Sequence, residues 1–301
     1  MSNLFILFLS FSAGHIVQYV QKVERNQVSL LNSFILYVSL PAQIFLHIPV
    51  LKFNIALFKP ICVSWIIFLF SFLFFNFLGK ILKLKKTTVI CFILVCGLGN
   101  TSFVGLPLID FYFGSEGVGI GIYVDQFGTF LSLCLLGLPY LLSVSSNEVK
   151  VINVLKRVLS FPPFIAIIIA IVMNLLGITP GFNDVLKRLG DTLAPMALFS
   201  VGVQLNFKDL KGRIFEIILG LSYKLFFAPL LIYVIYIIIL GGKGIENRVS
   251  VFEASMGPMI TSTLLVAEKK IEPELASILL SIGIIISFVT SNIWYKVLLN
   301  L

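Results

Sequence analysis

The sequence predicts an all-α integral membrane protein, with ten transmembrane helices arranged as two inverted five-helix repeats. Three observations lead there. Of the 301 residues, 58% are hydrophobic and only 12% are charged, giving a mean hydropathy of +1.06. A soluble domain carries about 25% charged residues. Ten apolar runs long enough to cross a bilayer follow one another, near 4–21, 28–49, 57–79, 88–112, 118–142, 161–179, 189–206, 214–240, 249–267 and 274–298. Two of them, the fourth and the ninth, are interrupted by glycine, proline and small polar residues at corresponding places in the two halves.

The first run, Leu4 to Val20, has no basic leader and no small-residue cleavage site, so it reads as a retained helix rather than a signal peptide. Orientation follows from lysine and arginine. Lys22, Arg25, Lys80, Lys83, Lys85, Lys86, Lys150, Lys156, Arg157, Lys208, Lys211, Arg213, Lys269 and Lys270 fall in the odd-numbered loops, 14 of the 22 basic residues. Seven lie on the opposite side, and Lys224 falls inside the eighth run. This bias puts the odd loops in the cytoplasm and both termini outside, in a multi-pass cell (plasma or inner) membrane protein. It also accounts for the formal charge of +8. No basic stripe with interleaved aromatics appears, which excludes nucleic acid as a partner. Cys62, Cys91, Cys96 and Cys134 all lie in apolar runs without metal-ligand spacing, and they read as inert thiols. No metal or cofactor is expected.

Five helices per half is an odd number, so a repeated half must enter the membrane in the opposite sense. Pro41 in the second run matches Pro195 in the seventh, each followed by an Asn-containing loop (Phe53-Asn54, Asn206-Phe207). Pro107 matches Pro258. The expected organisation is a first repeat over 1–142, a polar cytoplasmic linker over 143–160 and a second repeat over 161–301.

The segment from Cys96 to Pro107 carries three glycines, a proline and the triplet Asn100-Thr101-Ser102. Glycine and proline interrupt the helical hydrogen-bond ladder, and the freed backbone groups cannot face hydrocarbon unpaired. Such a break persists where protein or a wet cavity satisfies it, as in the discontinuous helices of secondary transporters. Asn100, Thr101 and Ser102 offer amide and hydroxyl groups that suit a carboxylate or, through their oxygens, a partly dehydrated cation. Gly97, Gly99 and Gly105 add free N–H groups, and the half-helix that follows aims its positive end at the break. The ordinary alternative is that Ser and Thr bond their own helix. The ninth run repeats the pattern, with Gly257 and Pro258 at the break and Thr261, Ser262 and Thr263 after it.

Glu253 lies about one turn before the second break, where it either handles a coupling ion or is solvated near the outer surface. Asp125-Gln126 interrupts the fifth run. A charge there costs about 2.5–3.5 kcal/mol on insertion scales, so Asp125 should face the protein interior, as a proton carrier or as a partner for Lys224. His15 and His47 read as packed histidines, and Asp110, Asp191 and Glu216 as solvated groups near run ends. There is no H-E-x-x-H, P-loop or G-x-S-x-G, so neither an enzyme nor an ATP-driven pump is expected.

Four motifs in order resemble the auxin efflux carrier family of membrane transporters. They are Gly99-Asn100-Thr101-Ser102-Phe103-Val104-Gly105-Leu106-Pro107-Leu108, Val124-Asp125-Gln126, Ala194-Pro195-Met196-Ala197-Leu198-Phe199-Ser200-Val201-Gly202, and Met256-Gly257-Pro258-Met259 continuing through Ala267-Glu268-Lys269-Lys270 to Pro273-Glu274-Leu275. The resemblance runs along nearly the whole chain. It implies a fold similar to bile acid–sodium symporters, with the broken fourth and ninth helices crossing. It also implies a scaffold of helices one, two, six and seven that often forms a homodimer, and a mobile unit of helices three to five and eight to ten. Family substrates are auxin in plants and dicarboxylates such as malate or malonate in bacteria. By motif match, Asn100 would contact substrate, and Asp125 and Gln126 would line the same region. Gly99 stands where plant members carry proline, and the short central loop suits a bacterial-type member.

The reading that results is a secondary carrier of a small organic anion. Its substrate site is expected at Asn100, Thr101, Ser102, Gly105, Pro107, Gln126, Gly257, Pro258, Thr261 and Ser262, with Asp125 or Glu253 handling any coupling proton. A proton, sodium, or the membrane potential alone (about 2.3 kcal/mol per charge per 100 mV) are all left open as driving forces. The rivals are a sodium-coupled symporter or channel-like anion pore, and a membrane receptor that binds without transport.

Overall fold

The computed structural model describes residues 2–51, 57–144, 151–206 and 212–299. Lys52, Phe53-Asn54, residues 145–150 of the linker with Lys150, and Phe207, Lys208 and Lys211 lie outside them. Every named element among the described residues is a helix: α1 (Ser2–Gln21), α2 (Asn26–His47), α3 (Phe58–Ile81), α4 (Lys86–Cys96), α5 (Thr101–Val144), α6 (Val151–Leu159), α7 (Pro162–Leu175), α8 (Asn183–Gly190), α9 (Leu193–Gln204), α10 (Ile214–Ile239), α11 (Ile245–Ala254), α12 (Ile260–Glu268) and α13 (Pro273–Leu299). Of these, α2, α3, α5, α10 and α13 are long and apolar enough to cross a bilayer unaided. Apolar side chains such as Leu69, Leu73 and Phe77 on α3 stay exposed, as a lipid-facing surface requires.

The structure refines three sequence expectations. The turn between the fourth and fifth runs is compressed onto Gly114, whose φ of 64° and ψ of −164° are the non-helical values inside α5. Glycine supplies this left-handed turn without a Cβ clash. The seventh run, expected near 189–206, is α9 from Leu193 to Gln204, with α8 ending just before it at Gly190. The linker is not merely polar, because it contains α6, which is amphipathic, with exposed Ile152, Leu155 and Leu159 on the same helix as Lys156 and Arg157.

The chain divides into two compact units. One comprises residues 1–54, 102–122 and 155–205. Within it α1 and α9 pack backbone to backbone. A Cβ on Gly14 would collide with the Phe199 carbonyl, and one on Gly202 with the Phe11 carbonyl. Small residues permit this approach, which replaces the missing hydrophobic drive for helix association in lipid. Polar links hold the same unit: Ser39 and Thr192 share a hydrogen bond of 2.7 Å, and the Asn174 amide donates to the Ile48 carbonyl at 2.9 Å.

The other unit comprises residues 55–101, 123–154 and 206–301. It holds an aromatic cluster, with the Tyr223 ring tilted against Phe75 (centroids 4.8 Å apart) and Phe74 (5.0 Å). The Tyr223 hydroxyl donates to the Ile67 carbonyl at 2.7 Å, which satisfies the polar end of a buried ring. At one end, Glu272 accepts hydrogen bonds from Thr87 (2.7 Å) and Arg213 (2.7 Å). Burial pushes the Glu272 carboxyl up, but these donors and the charges of Arg213 and Lys85 outweigh it and hold the group below its ordinary value.

Candidate functional site

Both breaks foreseen in the sequence are present, and both lie in the second unit. Helix α4 ends at Cys96, and α5 begins at Thr101. Helix α11 ends at Ala254, and α12 begins at Ile260. The two extended stretches meet as a short antiparallel bridge pairing Gly99 with Pro258. The Asn100 N–H donates to the Gly257 carbonyl at 2.8 Å, and the Met259 N–H donates to the Leu98 carbonyl at 3.2 Å. Each break therefore satisfies the other's freed backbone. Proline is tolerated here because the directly opposed pair, Gly99 and Pro258, exchanges no hydrogen bond in this register. The crossing packs tightly, since a Cβ on Gly257 would lie 3.0 Å from the Gly283 carbonyl of α13.

Around this bridge stands a buried polar cluster. Asn100 and Thr101 are 3% exposed, Asp125 2%, and Gln126, Glu253 and Lys224 1% each. The Thr101 hydroxyl donates to Asp125 Oδ1 at 2.5 Å, and Gln126 Nε2 donates to Asp125 Oδ2 at 2.6 Å. Two donors on one carboxylate are what a buried anion needs. Lys224 donates from Nζ to the Ala254 carbonyl at 3.2 Å, and it lies within electrostatic reach of Glu253. Both Glu253 carboxyl oxygens are buried and receive no hydrogen bond among the described residues. Glu253 is thus a protein-enclosed group rather than one solvated near the outer surface. The π-turns Thr101–Gly105, Val124–Phe130 and Tyr223–Phe227 carry Thr101, Asp125, Gln126 and Lys224. Such turns often mark functional positions, because they re-aim side chains from a helix.

Some expected residues have other work. A hydroxyl has one proton, and Thr101 places it on Asp125, so its remaining lone pairs can only accept. Ser262 donates its proton to the Met259 carbonyl at 3.1 Å, and Thr263 does so at 2.8 Å. These bonds satisfy a carbonyl at the break, the ordinary intrahelical use of such residues. Thr261 is exposed. Ser102, Gly105 and Pro107 belong to the first unit. There Pro107 lines a cavity of about 600 Å³ together with Gln43, His47, Asp110, Lys187 and Pro195. Sequence reasoning missed the place of Lys224, which it had offered only as a partner for Asp125.

A multi-pass helical chain whose two broken helices satisfy each other at a buried polar cluster has the construction of a membrane transporter. A sequence profile for the family described as Membrane transport protein matches residues 1–295, and the chain belongs to this auxin efflux carrier family. An uncharacterized transporter from Methanothermobacter thermautotrophicus is 31% identical over 200 residues. That match covers 66% of this chain and 65% of the relative's length. An uncharacterized transporter from Methanocaldococcus jannaschii is 27% identical over 309 residues, covering 100% of this chain and 99% of the relative.

Proposed function

We propose that this protein is a secondary carrier for small organic anions, carboxylates such as malate or malonate, working as an exporter or with a proton. The observation that carries the reading is the hydrogen-bonded crossing of the two breaks, with Asn100 placed on it. A bridge of only two backbone hydrogen bonds holds a buried polar centre that helix rearrangement can expose to either side in turn. The donors suited to a carboxylate there are the Asn100 side chain, the free N–H groups opening α12, and Thr261. Thr101 and Gln126 are held on Asp125, which fixes their orientation. Glu253 is the candidate for a coupling proton, since its carboxyl has no donor among the described residues to hold it ionised.

The wider architecture belongs to the same proposal. Taking α4 with the first part of α5 as one crossing, α11 with α12 as another, and α8 with α9 as a third gives ten spans. The similar lengths of α4 (11 residues) and α11 (10 residues) before their breaks support two inverted repeats over 1–142 and 161–301. The lysine and arginine bias supports termini outside the plasma or inner membrane. A homodimer through the first unit is part of the reading.

Uptake into proteoliposomes of labelled malate, malonate and an aromatic acid, under separate proton and sodium gradients, tests it. Saturable flux of a carboxylate is expected. Tight binding without flux would instead make the protein a receptor, and sodium-dependent flux would make it a symporter.

A further inference from the structure

Lys224 is the charged group that the carrier reading leaves unused. Its whole side chain is sequestered, at 1% exposure, in the middle of a helix that otherwise reads as apolar. An isolated ammonium there would be strongly unfavourable without compensation. The compensation comes from helix ends. Helices α4 and α11 both stop at the crossing, and each brings the negative, carbonyl-bearing end of its dipole there, worth roughly half an elementary charge. Lys224 Nζ bonds the carbonyl of Ala254, the last residue of α11. The Cys96 thiol, on the last residue of α4, is also within its electrostatic reach.

Two further details fix the arrangement. A Cβ on Gly99 would stand only 3.2 Å from Lys224 Nζ and 3.6 Å from the Glu253 carbonyl. Gly99 therefore leaves open the space that the ammonium occupies, at a position where a larger residue would crowd it. Glu253, next to Ala254, carries a full carboxyl with no hydrogen-bond donor on either oxygen among the described residues. Donors do not balance it, so a positive charge acting through space must do so whenever it is ionised.

We infer that Lys224 is a positioning residue whose ammonium serves as a tethered cation at the crossing, capping the C-terminal end of α11 and balancing Glu253. A lysine suits this task because its charge is compact and its stem reaches from a neighbouring helix. The consequence is that the crossing holds together without a dissolved cation. The opposite, N-terminal ends of the broken helices are then left for an anion. This adds a residue to the site proposed above, and its effect on flux rests on that reading. The assembly of the crossing does not, so the test reads unfolding without any substrate.

The measurement is the Tm of the purified, detergent-solubilised protein in sodium, potassium, lithium or choline chloride at one ionic strength. The wild type is expected to unfold at the same temperature in all four. Lys224→Ala should lose several degrees in choline and recover part of that loss in a small cation, because the end of α11 and Glu253 then face an open volume. Lys224→Met should be destabilised in every salt, and Lys224→Met combined with Glu253→Gln should regain most of the loss, since it removes both charges. A wild-type Tm raised selectively by one small cation would overturn the inference. So would a Lys224→Ala variant indifferent to cation, or a double variant no more stable than Lys224→Met. A lysine with only a packing role would give the last two results.

Discussion

The two breaks have nearly the same backbone and quite different chemistry. Each ends a half-helix of 10 or 11 residues, runs extended for a few residues, and restarts. Each gives the other one backbone hydrogen bond. The first break restarts on Asn100 and Thr101, and Thr101 is tied to the carboxylate of Asp125, 24 residues further along the chain. The second restarts on hydroxyls that turn back onto their own Met259 carbonyl, and the buried acid beside it, Glu253, precedes the break. Two similar backbone breaks thus carry different side-chain chemistry. The first break presents polar groups held from outside, and the second presents a charge beside a self-contained helix start. Backbone pairing needs both breaks, whereas binding need involve one more than the other.

Substitutions at matched positions sharpen or break that contrast. The largest effect is expected for Asn100→Ala, which should lower carboxylate flux roughly 10- to 100-fold, the worth of a charge-assisted hydrogen bond, with folding near normal. Unchanged uptake in proteoliposomes would remove Asn100 from the site. Next comes Thr101→Val, which strips a donor from the buried Asp125 carboxylate and should cost about 1–3 kcal/mol, read from chemical unfolding in detergent. A variant as stable as wild type would show that the first break is not held by Asp125. Ser262→Ala, at the second break, should cost only about 0.5–1.5 kcal/mol and leave flux close to wild type. Flux lost as severely as in Asn100→Ala would mean that the two breaks share the substrate evenly.

The smallest effect lies away from both breaks. Glu272→Gln weakens the tie to Arg213 and Thr87, and about 1 kcal/mol or less is expected. The sign of its pH dependence is defined. The folded protein holds Glu272 below the ordinary 4.5, so its contribution is fully present above that value and fades as pH falls through the lowered one. Stability curves of wild type and Glu272→Gln should converge in that acidic window and separate above it. Curves that stay parallel at every pH would show that Glu272 is not selectively ionised by its partners.

Much of the site was legible because backbone breaks leave marks in composition. Gly97, Gly99, Gly257 and Pro258 stand out in apolar runs, and their placement at the interruptions could be read without coordinates, whereas Pro107 lies inside α5, beyond the first break. Asp125 and Gln126 were legible for a related reason, since polar groups in such a run must have an interior partner. The partner itself was not. Nothing in spacing says that the Thr101 hydroxyl reaches Asp125, because π-turns shift the facing of each side chain by a fraction of a turn. Nor does spacing say that Ser262 spends its proton on Met259, as the hydroxyl has equally good uses inside and outside its helix. The helix hidden in the linker was missed because its few apolar residues are too short a run to register as a span.

By itself, the sequence determined that this protein is helical, lies in a membrane and breaks two of its helices, because lipid tolerates so few ways of satisfying a backbone. Only the tertiary structure decided that the breaks pair with each other and that a lysine from a third helix reaches them. Those choices depend on distances between segments far apart in the chain, and a hydrogen bond forms only when packing brings donor and acceptor within about 3 Å.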